Sequence, residues 1–301
     1  MRVALTGGTG FVGGHVMRCL QAAGHEIVAL TRRPMRARDH VRWILGDLAD
    51  RGALAALVDG ADSVIHVAGV LNARDAAGFT HGNVDGTATL LKAAEQAEVT
   101  RFVHVSSLAG REPGLSLYGA SKAESETLVW ASTIASAIVR PPAVYGPGDR
   151  ETLDLFRMAR RHLMLMPPHG RLSLIHVEDL ARLLARLADV DAPVDHTYEP
   201  DDGHPGGYSH RDFARLLGQA LNRRVFTLNT PRALLSLAAK VDRLLRGDAA
   251  KLTPDRVAYF VHPDWVCRPA LAPPPELWQP RIATPEGLTL TARWYKAEDW
   301  L

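Results

Sequence analysis

Cysteine is scarce in this chain of 301 residues, which has only Cys19 and Cys267. Two thiols cannot hold a metal cluster and make a poor disulfide framework, so we expect a protein of a reducing compartment. The 13 histidines are scattered along the chain without the spacing of paired ligands. We therefore expect no metal site.

An excess of charge of one sign and long apolar runs are lacking too. Lysine and arginine number 35 against 33 acidic residues, which excludes the broad basic field of a nucleic-acid-binding protein. No apolar run approaches the length of a membrane-spanning helix. Glycines follow "MRVALT" at once and leave no room for the regions of a secretory signal. We expect a cytoplasmic protein with no nucleic-acid partner and no membrane span.

The first half of the chain alternates apolar, β-rich runs with helix-like stretches. Strands are predicted at 2–7, 26–32, 41–45, 63–69, 101–107 and 136–141, and helices at 12–23, 52–58, 84–97 and 119–131. Most of the strand-like runs are continuously apolar, as in strands buried on both faces. This order predicts an α/β fold, a Rossmann-type doubly wound parallel sheet with helices on both faces.

The alternation loosens after about residue 146. Helix signals follow this point. In one predicted helix, Thr230 is the N-cap, Pro231 stands at the first helical position and Gly247 marks the end. Prolines then cluster between 263 and 285. We predict a larger domain over 1–150, to which 171–200 partly returns, and a smaller C-terminal lobe over 151–301.

Gly7, Gly10 and Gly13 form a GxxGxxG pattern between the first strand and the first helix. Glycines at this spacing permit a tight turn, a close approach of the backbone to a pyrophosphate and close packing of the helix on the strand. No Gly-Lys-Ser/Thr follows, which excludes a Walker loop. The pattern favours a dinucleotide site, and 1–150 is then an NAD(P)-binding domain.

The end of the second strand bears on which dinucleotide is bound. An acidic residue usually stands there in NAD-binding units, whereas this strand ends in Thr31, Arg32 and Arg33. Two guanidinium groups can hold a 2′-phosphate, so NADP(H) is favoured over NAD(H); the alternative is a solvated basic turn. Asp47, after the third strand, is either an adenine contact or a turn residue.

Ser106 and Ser107 end a predicted strand at the carboxyl edge, where open α/β sheets bind ligands. Tyr118 and Lys122, four residues apart, share one face of the following helix. A nearby ammonium stabilises a phenolate, so we expect Lys122 to lower the pKa of Tyr118. The tyrosine can then exchange a proton with a carbonyl or alcohol while a nicotinamide exchanges hydride.

With these residues in place, the chain resembles the extended short-chain dehydrogenase/reductase family, the NAD(P)-dependent epimerase/dehydratase group. The matching stretches are "TGGTGFVG", "GDL", "VIHVAG", "NVDGTATLL", "VSS", "YGASK", "RPPAVYGPGD", "LIHVEDLA" and "PEGLTLTARWYKAEDWL". The resemblance implies catalytic Ser107, Tyr118 and Lys122. By position it implies cofactor contacts from Thr6, Gly7, Gly10, Phe11, Val12, Gly13, Arg32, Arg33, Asp47, Leu48, Val67, Ala68, Gly69, Asn83, Val105, Ser106, Pro141, Ala143 and Val144.

At two positions the sequence departs from the group's pattern, and each departure counts against one of the group's reactions. Leu108 and Ala109 stand where dehydratases carry an acidic pair, so sugar dehydration is not expected. Thr31 stands where the group's epimerases have an acid, which counts against epimerisation. The reductase branches of the group more often use NADP, which agrees with Arg32 and Arg33.

The smaller lobe is expected to select a small-molecule substrate. Residues near segments that line the pocket in similar proteins are Tyr145, Arg150, His169, Arg171, His176 and Tyr208. For Arg150 the alternative is an ion pair with Asp149 or Glu151. The leucines of the 231–246 helix are expected in the core, or against an apolar substrate or partner subunit.

Three hypotheses remain open. The first is an NADP-dependent oxidoreductase that transfers hydride between nicotinamide C4 and a carbonyl or alcohol. The second is an NAD-dependent nucleotide-sugar epimerase, and the third is a protein that binds NADP(H) without catalysis. By analogy with similar proteins, a homodimer would pair the helices at 84–97 and 119–131.

Overall fold

The structure is a computed structural model that describes residues 1–167, 169–247 and 253–301. The strands are β1 Arg2–Thr6, β2 Glu26–Thr31, β3 Val41–Leu45, β4 Ser63–His66, β5 Arg101–Val105, β6 Ala135–Val139, β7 Ala143–Tyr145, β8 Leu163–Met166, β9 Arg171–Leu172, β10 Leu174–His176, β11 His196–Tyr198, β12 Tyr208–Ser209, β13 Phe226–Asn229 and β14 Asp264–Trp265. The α-helices are α1 Phe11–Ala22, α2 Arg51–Val58, α3 Ala76–Phe79, α4 Gly86–Gln96, α5 Leu117–Ala131, α6 Glu151–Arg160, α7 Val177–Leu187, α8 His210–Ala220, α9 Arg232–Arg246, α10 Pro254–Phe260 and α11 Thr284–Ala297.

The described residues form two compact units. The first comprises 1–141, 178–199 and 273–279, and the second comprises 142–177, 200–272 and 280–301. The functional division at residue 150 that the sequence suggests stays a prediction.

The first unit is built on a seven-stranded sheet in the order β11-β6-β5-β4-β1-β2-β3. Every neighbouring pair is parallel, and the chain changes direction across the sheet between β1 and β4. The predicted doubly wound, Rossmann-type α/β fold is thereby confirmed. In such sheets, ligands bind at the carboxyl ends of the strands where the order reverses.

Burial on both faces explains why the central strands are continuously apolar. Val3, Ala4 and Leu5 are fully buried although successive side chains point to opposite faces. On one face, β1, β4 and β5 pack against α2 and α4 through a cluster that includes Leu54, Leu57, Leu90 and Phe102. The sheet is therefore a rigid platform for the loops at its carboxyl edge.

Some elements end where the sequence does not predict it. β4 stops at His66, whereas the sequence predicts a strand over 63–69. Residues 67–69 leave the ladder because the Ala68 amide donates to the Thr6 hydroxyl at 3.2 Å instead of to a strand. Just before α4, residues Thr80–Asp85 form a π-helical turn.

The second unit is assembled from short strand pairs and helices. Its core joins α6, α8 and α11 through a cluster that includes Phe156, Phe213, Leu217 and Tyr295. Ser209 caps α8: its hydroxyl accepts from the Asp212 amide and donates to the Asp212 carboxylate. In the part of the chain that the structure describes, no helix is long and apolar enough to cross a membrane.

Candidate active site

Glycine is required in the turn between β1 and α1 because backbone crowds it from two sides. Gly7 has a φ of +73°, and a Cβ there would lie 2.7 Å from the Ala68 nitrogen. A Cβ on Gly13 would overlap the Gly7 carbonyl. α1 begins at Phe11, directly after the turn, and no side chain caps its first amides. These amides and the positive end of the helix dipole make the turn suited to a phosphate group.

A cleft of about 680 Å³ opens beside this turn. It is lined by Gly8, Thr9, Gly10, Gly14, Arg33, Pro34, Met35, Arg36, Ala37, Arg38 and Trp43. Arg32 and Arg33 are both exposed, while Thr31 is buried and bonds to the Arg33 backbone. The structure thus places Arg33 beside the glycine turn, together with Arg36 and Arg38, whereas Arg32 is not among the residues that line the cleft.

Asp47 and Leu48 follow β3. The Asp47 carboxylate accepts from the Ala49 and Asp50 amides at 2.9 and 3.2 Å, so in this structure it stabilises the turn. Leu48 packs on Gly86 at the start of α4, where a Cβ would lie 2.8 Å from it. The predicted adenine contact of Asp47 stays a prediction.

The structure brings Ser107, Tyr118 and Lys122 to the carboxyl edge of β5. Ser107 starts a 3₁₀ turn over Leu108–Arg111, and the side chains of Ser107 and Tyr118 are hydrogen-bonded. Helix α5, which carries Tyr118, packs closely on this turn, because a Cβ on Gly119 would lie 2.6 Å from the Ala109 carbonyl oxygen. Glycine at 119 therefore sets the approach between the tyrosine and the serine.

Burial governs the protonation of this group of side chains. It raises the pKa of Tyr118, and the hydrogen bond with Ser107 acts in the opposite direction. It also lowers the pKa of Lys122 to about 8, against the attraction of the Glu126 carboxylate. The sequence-based expectation that Lys122 lowers the pKa of Tyr118 is therefore wrong for this structure: burial raises that pKa, and the Lys122 ammonium donates to the Val105 carbonyl at 2.8 Å.

Asn83 fixes the loop that follows β4. It lies in the π-helical turn, and its Oδ1 accepts from the Val70 amide at 2.6 Å. Its Nδ2 donates to the Val70 carbonyl at 3.0 Å and to the Ser121 hydroxyl at 2.9 Å. The side chain joins the 67–70 loop to α5, one residue before Lys122. The sequence singles out Asn83 only through the family resemblance.

Two buried histidines lie beneath the site, and the sequence did not predict either of them as a site residue. His66 is hydrogen-bonded on both ring nitrogens, to Thr6 at 2.7 Å and to Thr87 at 3.0 Å. His104 bonds to Ser125 at 3.0 Å, and the two rings lie 5.4 Å apart. Burial and the Lys122 charge lower the pKa of His66 to about 3 and that of His104 well below its usual value. Both rings are therefore neutral.

A chain of buried charged residues lies near the site, and no sequence pattern indicated it. Ser106 donates to Glu126, whose carboxylate accepts two bonds from Arg140 at 2.9 and 2.5 Å. The buried Glu199 lies 3.8 Å from Arg140 and 3.5 Å from Arg111. Glu126 raises the pKa of Arg140. These pairs tie the end of β6, α5 and the 3₁₀ turn after Ser107 together.

Pro141, Ala143 and Val144 follow β6. The Pro141 carbonyl accepts from the Leu108 amide at 3.1 Å, which holds the 3₁₀ turn after Ser107. Ala143 and Val144 belong to the second unit, where β7 pairs in parallel with β10. Their predicted cofactor contacts stay predictions.

Two of the predicted substrate residues in the second unit are engaged with their own chain. Arg171 donates to the Gly206 and Gly207 carbonyls at 2.6 and 2.8 Å. Tyr208 donates to the Asp202 carboxylate at 2.6 Å.

The remaining four candidates, Tyr145, Arg150, His169 and the buried His176, differ in exposure. Tyr145 is fully buried against the His176 ring, and His169 is exposed. Arg150 is exposed and lies over the Trp300 ring at 4.8 Å, while Asp149 bonds to amides at the start of α6. The substrate role of all six residues stays a prediction.

Comparisons with known proteins show the family of the chain. The profile of the NAD dependent epimerase/dehydratase family matches residues 3–199. "Ceramide reductase" of Caulobacter vibrioides is 37% identical over 308 residues, which cover 99% of this chain and 96% of that protein. "3 beta-hydroxysteroid dehydrogenase/Delta 5-->4-isomerase" of Mycobacterium tuberculosis is 31% identical over 179 residues, about half of each chain (50% and 48%).

A solved structure supports the fold over nearly the whole length. "MoeE5 in complex with UDP-glucuronic acid and NAD" superposes with a TM-score of 0.75 and covers 99% of this chain and 100% of its own, at 22% identity. At that identity the likeness bears on the fold alone.

Proposed function

Because this chain belongs to the NAD dependent epimerase/dehydratase family, the extended short-chain dehydrogenases/reductases, we propose that it is an NADP(H)-dependent reductase of a carbonyl substrate. The observation that carries the proposal is the group of Ser107, Tyr118 and Lys122 at the carboxyl edge of the sheet that also holds the glycine turn. A nicotinamide-dependent reductase needs a phosphate-binding turn and a proton donor at the same edge of the sheet, and these two features can supply them.

The glycine turn fits the cofactor. Side chains at 7 and 13 would fill the space that the backbone needs, and the first amides of α1 would hold the pyrophosphate. When bound, the dihydronicotinamide supplies a hydride. Arg32 and Arg33 would hold the 2′-phosphate, because Thr31 leaves the end of β2 without a carboxylate to repel it.

Tyr118 would donate its proton to the carbonyl oxygen as that oxygen gains charge. Its raised pKa keeps the hydroxyl protonated at neutral pH, as the reducing direction requires. Ser107 would orient the same oxygen. The Lys122 ammonium would favour the phenolate that remains after the proton has moved.

The substrate class we propose is a lipid-like carbonyl compound. The support is the relative named a ceramide reductase, which is similar to this chain over nearly its full length. The hydroxysteroid dehydrogenase, whose name also denotes an apolar substrate, agrees in class.

The test begins with binding affinities for NADPH and NADH. We expect wild type to prefer NADPH and the R32A/R33A variant to lose at least roughly tenfold in NADPH affinity, with NADH affinity little changed. Arg18→Ala, a change at an exposed arginine of α1, serves as the control. A preference for NADH, or NAD retained through purification, would point to the epimerase instead.

The second arm uses Tyr118→Phe with a panel of long-chain carbonyl substrates. The variant should bind NADPH normally and lose turnover. Unchanged turnover would remove the tyrosine from the mechanism. Tight NADPH binding by wild type without turnover of any carbonyl would favour the non-catalytic hypothesis.

A further inference from the structure

Helix α9 presents an apolar stripe to solvent instead of to the core. The stripe recurs at helical spacing and consists of Leu234, Leu237, Val241, Leu244 and Leu245, which are 46 to 85% exposed. Among the α9 side chains that the structure describes, Ala239 alone is fully buried. From the sequence, the leucines of this helix are expected in the core, or against an apolar substrate or partner subunit, and the structure leaves Leu234, Leu237, Leu244 and Leu245 exposed outside the core. A stripe this long on the outside of a helix indicates a contact surface.

The strand pair that leads into α9 exposes a second set of apolar side chains. β13 pairs with β8 so that Phe226 lies beside Leu163, and Leu228 beside Leu165. All four are 42 to 70% exposed, whereas Met164 and Met166 on the opposite face of β8 are buried. Only two residues separate β13 from α9. We call the exposed side chains of α9, β8 and β13 together the α9 surface.

The sequence around the α9 surface carries a strong positive charge. Residues 223–246 contain six basic residues (Arg223, Arg224, Arg232, Lys240, Arg243 and Arg246) and a single acid, Asp242. The whole chain has a net charge of only +2, so the rest of it is acidic on balance. Arg223, Arg224 and Lys240 are exposed. Basic residues next to an exposed apolar stripe match a membrane with anionic head groups.

We propose that the α9 surface docks on an anionic lipid bilayer, with its leucines and Phe226 at the boundary between head groups and acyl chains. A second copy of the chain fits less well, since a two-fold contact through this surface would bring two basic segments together. Helix α9 has 15 residues, a length suited to lying in the interface. The surface is independent of the chemistry at Tyr118, and docking would bring the reductase to a source of lipid substrates.

Co-sedimentation of the full chain with vesicles tests the proposal. One set contains phosphatidylglycerol and phosphatidylethanolamine, and the other contains phosphatidylcholine only. Wild type should pellet with the anionic vesicles, more weakly with the neutral ones, and less at high salt. L244E/L245E should reduce the partition constant at least about tenfold, since it replaces the two most exposed leucines with charges.

Val190→Glu is the matched control, because it puts the same charge on an aliphatic side chain that is 65% exposed in the first unit. It should pellet as wild type does. If circular dichroism shows that L244E/L245E does not fold, L237S/L244S is used instead, and it should reduce the partition constant by the same factor. Wild type that stays in the supernatant at low salt, or folded variants that pellet unchanged, would overturn the proposal.

Size-exclusion chromatography with light scattering tests the alternative occupant of the α9 surface, a second copy of the chain. A wild-type dimer that becomes monomeric in L244E/L245E, with vesicle binding unaltered, would assign the surface to a second copy and contradict membrane docking. Vesicle binding by Tyr118→Phe should equal that of wild type, so a failure of the proposed reductase activity is distinguishable from a failure of docking.

Discussion

At the carboxyl edge of the seven-stranded sheet, ionisable side chains are buried, whereas on the α9 surface leucines and a phenylalanine lie in solvent. The first region contains Lys122, Glu126 and two histidines, all within a few percent of full burial. The second contains Leu244 and Phe226, which are 85 and 70% exposed. Folded proteins usually distribute these residue types the other way round.

The two departures differ in what they cost the fold. A buried charge is strongly unfavourable unless it is paired, so each group at the sheet edge needs a partner, as Glu126 has in Arg140. An exposed leucine costs the fold little, but it contributes little to stability. Substitution of a polar residue at the sheet edge that leaves a buried charge unpaired should therefore lower the stability of the fold. Substitution on the α9 surface should leave stability nearly unchanged and affect only the binding of a partner.

The largest effect is expected for Lys122→Met, which removes the buried ammonium. Carbonyl reduction should fall roughly a thousandfold, since the phenolate left by proton transfer loses its nearby charge. The free energy of unfolding should not decrease, because a buried charge is replaced by an apolar chain of similar length. Steady-state kinetics and denaturant unfolding measure the two quantities. Lys92→Met, on the exposed side of α4, is the control; a stable variant that retained full activity would contradict the role given to Lys122.

The next effect concerns stability. Arg140→Met removes both hydrogen bonds that the buried Glu126 carboxylate accepts from Arg140 and one of the two guanidinium groups beside Glu199, so the free energy of unfolding should drop by about 3 to 5 kcal/mol. Arg157→Ala, which breaks the exposed pair with Asp154, should cost less than about 1 kcal/mol. Urea denaturation measures the free energy of unfolding of both variants. Equal decreases would show that the buried charged residues contribute no more to stability than an exposed ion pair.

A smaller effect follows from the neutral histidines. The folded-state pKa of His66 is about 3, below its unfolded value, so its contribution is fully present above pH 6.5 and is lost as the pH falls toward 3. Between about pH 6.5 and 5, each such histidine should lower the free energy of unfolding by about 1.4 kcal/mol per pH unit. His66→Gln should remove its share of this slope, and the exposed His169→Gln should leave the slope as it is. Identical slopes in all three proteins would mean that His66 is protonated in the folded state.

The smallest effect is expected on β8, where neighbouring residues face opposite ways. Leu165→Ser should change the free energy of unfolding by less than about 0.5 kcal/mol, because the side chain is half exposed. Met164→Ala, on the buried face, should cost about 2 to 5 kcal/mol. Thermal unfolding of the two variants measures the difference. A large loss in Leu165→Ser would indicate that the α9 surface is part of the folded core.

The sequence predicted what depends on local spacing. Gly7 and Gly13 had to be glycines for a close turn, and the structure shows the crowding that requires them. Tyr118 and Lys122, one turn apart, had to share a face of α5. The continuously apolar strands likewise predicted a sheet buried on both faces, because a strand with one solvated face alternates apolar and polar residues.

Contacts between distant parts of the chain could not be predicted in this way. Arg111 and Glu199 meet only because β11 joins the sheet beside β6, and no local pattern relates them. The burial of His66 and His104 likewise depends on helices that pack over their strands. The predicted lowering of the Tyr118 pKa by Lys122 rested on charge alone. Desolvation, which depends on the packed structure, raises that pKa instead.

The π-helical turn at 80–85 has a consequence for insertions and deletions. A π-turn contains one residue more than the α-helical turn it replaces, so it offsets the helical phase of α3 and α4. Deletion of one residue between Asn83 and α4 would restore a continuous α-helix and, with α4 held in place, rotate Asn83 by about 100° from the Val70 backbone. A one-residue deletion at Asp85, which lies between Asn83 and α4, should therefore free the 67–70 loop while α4 keeps its packing.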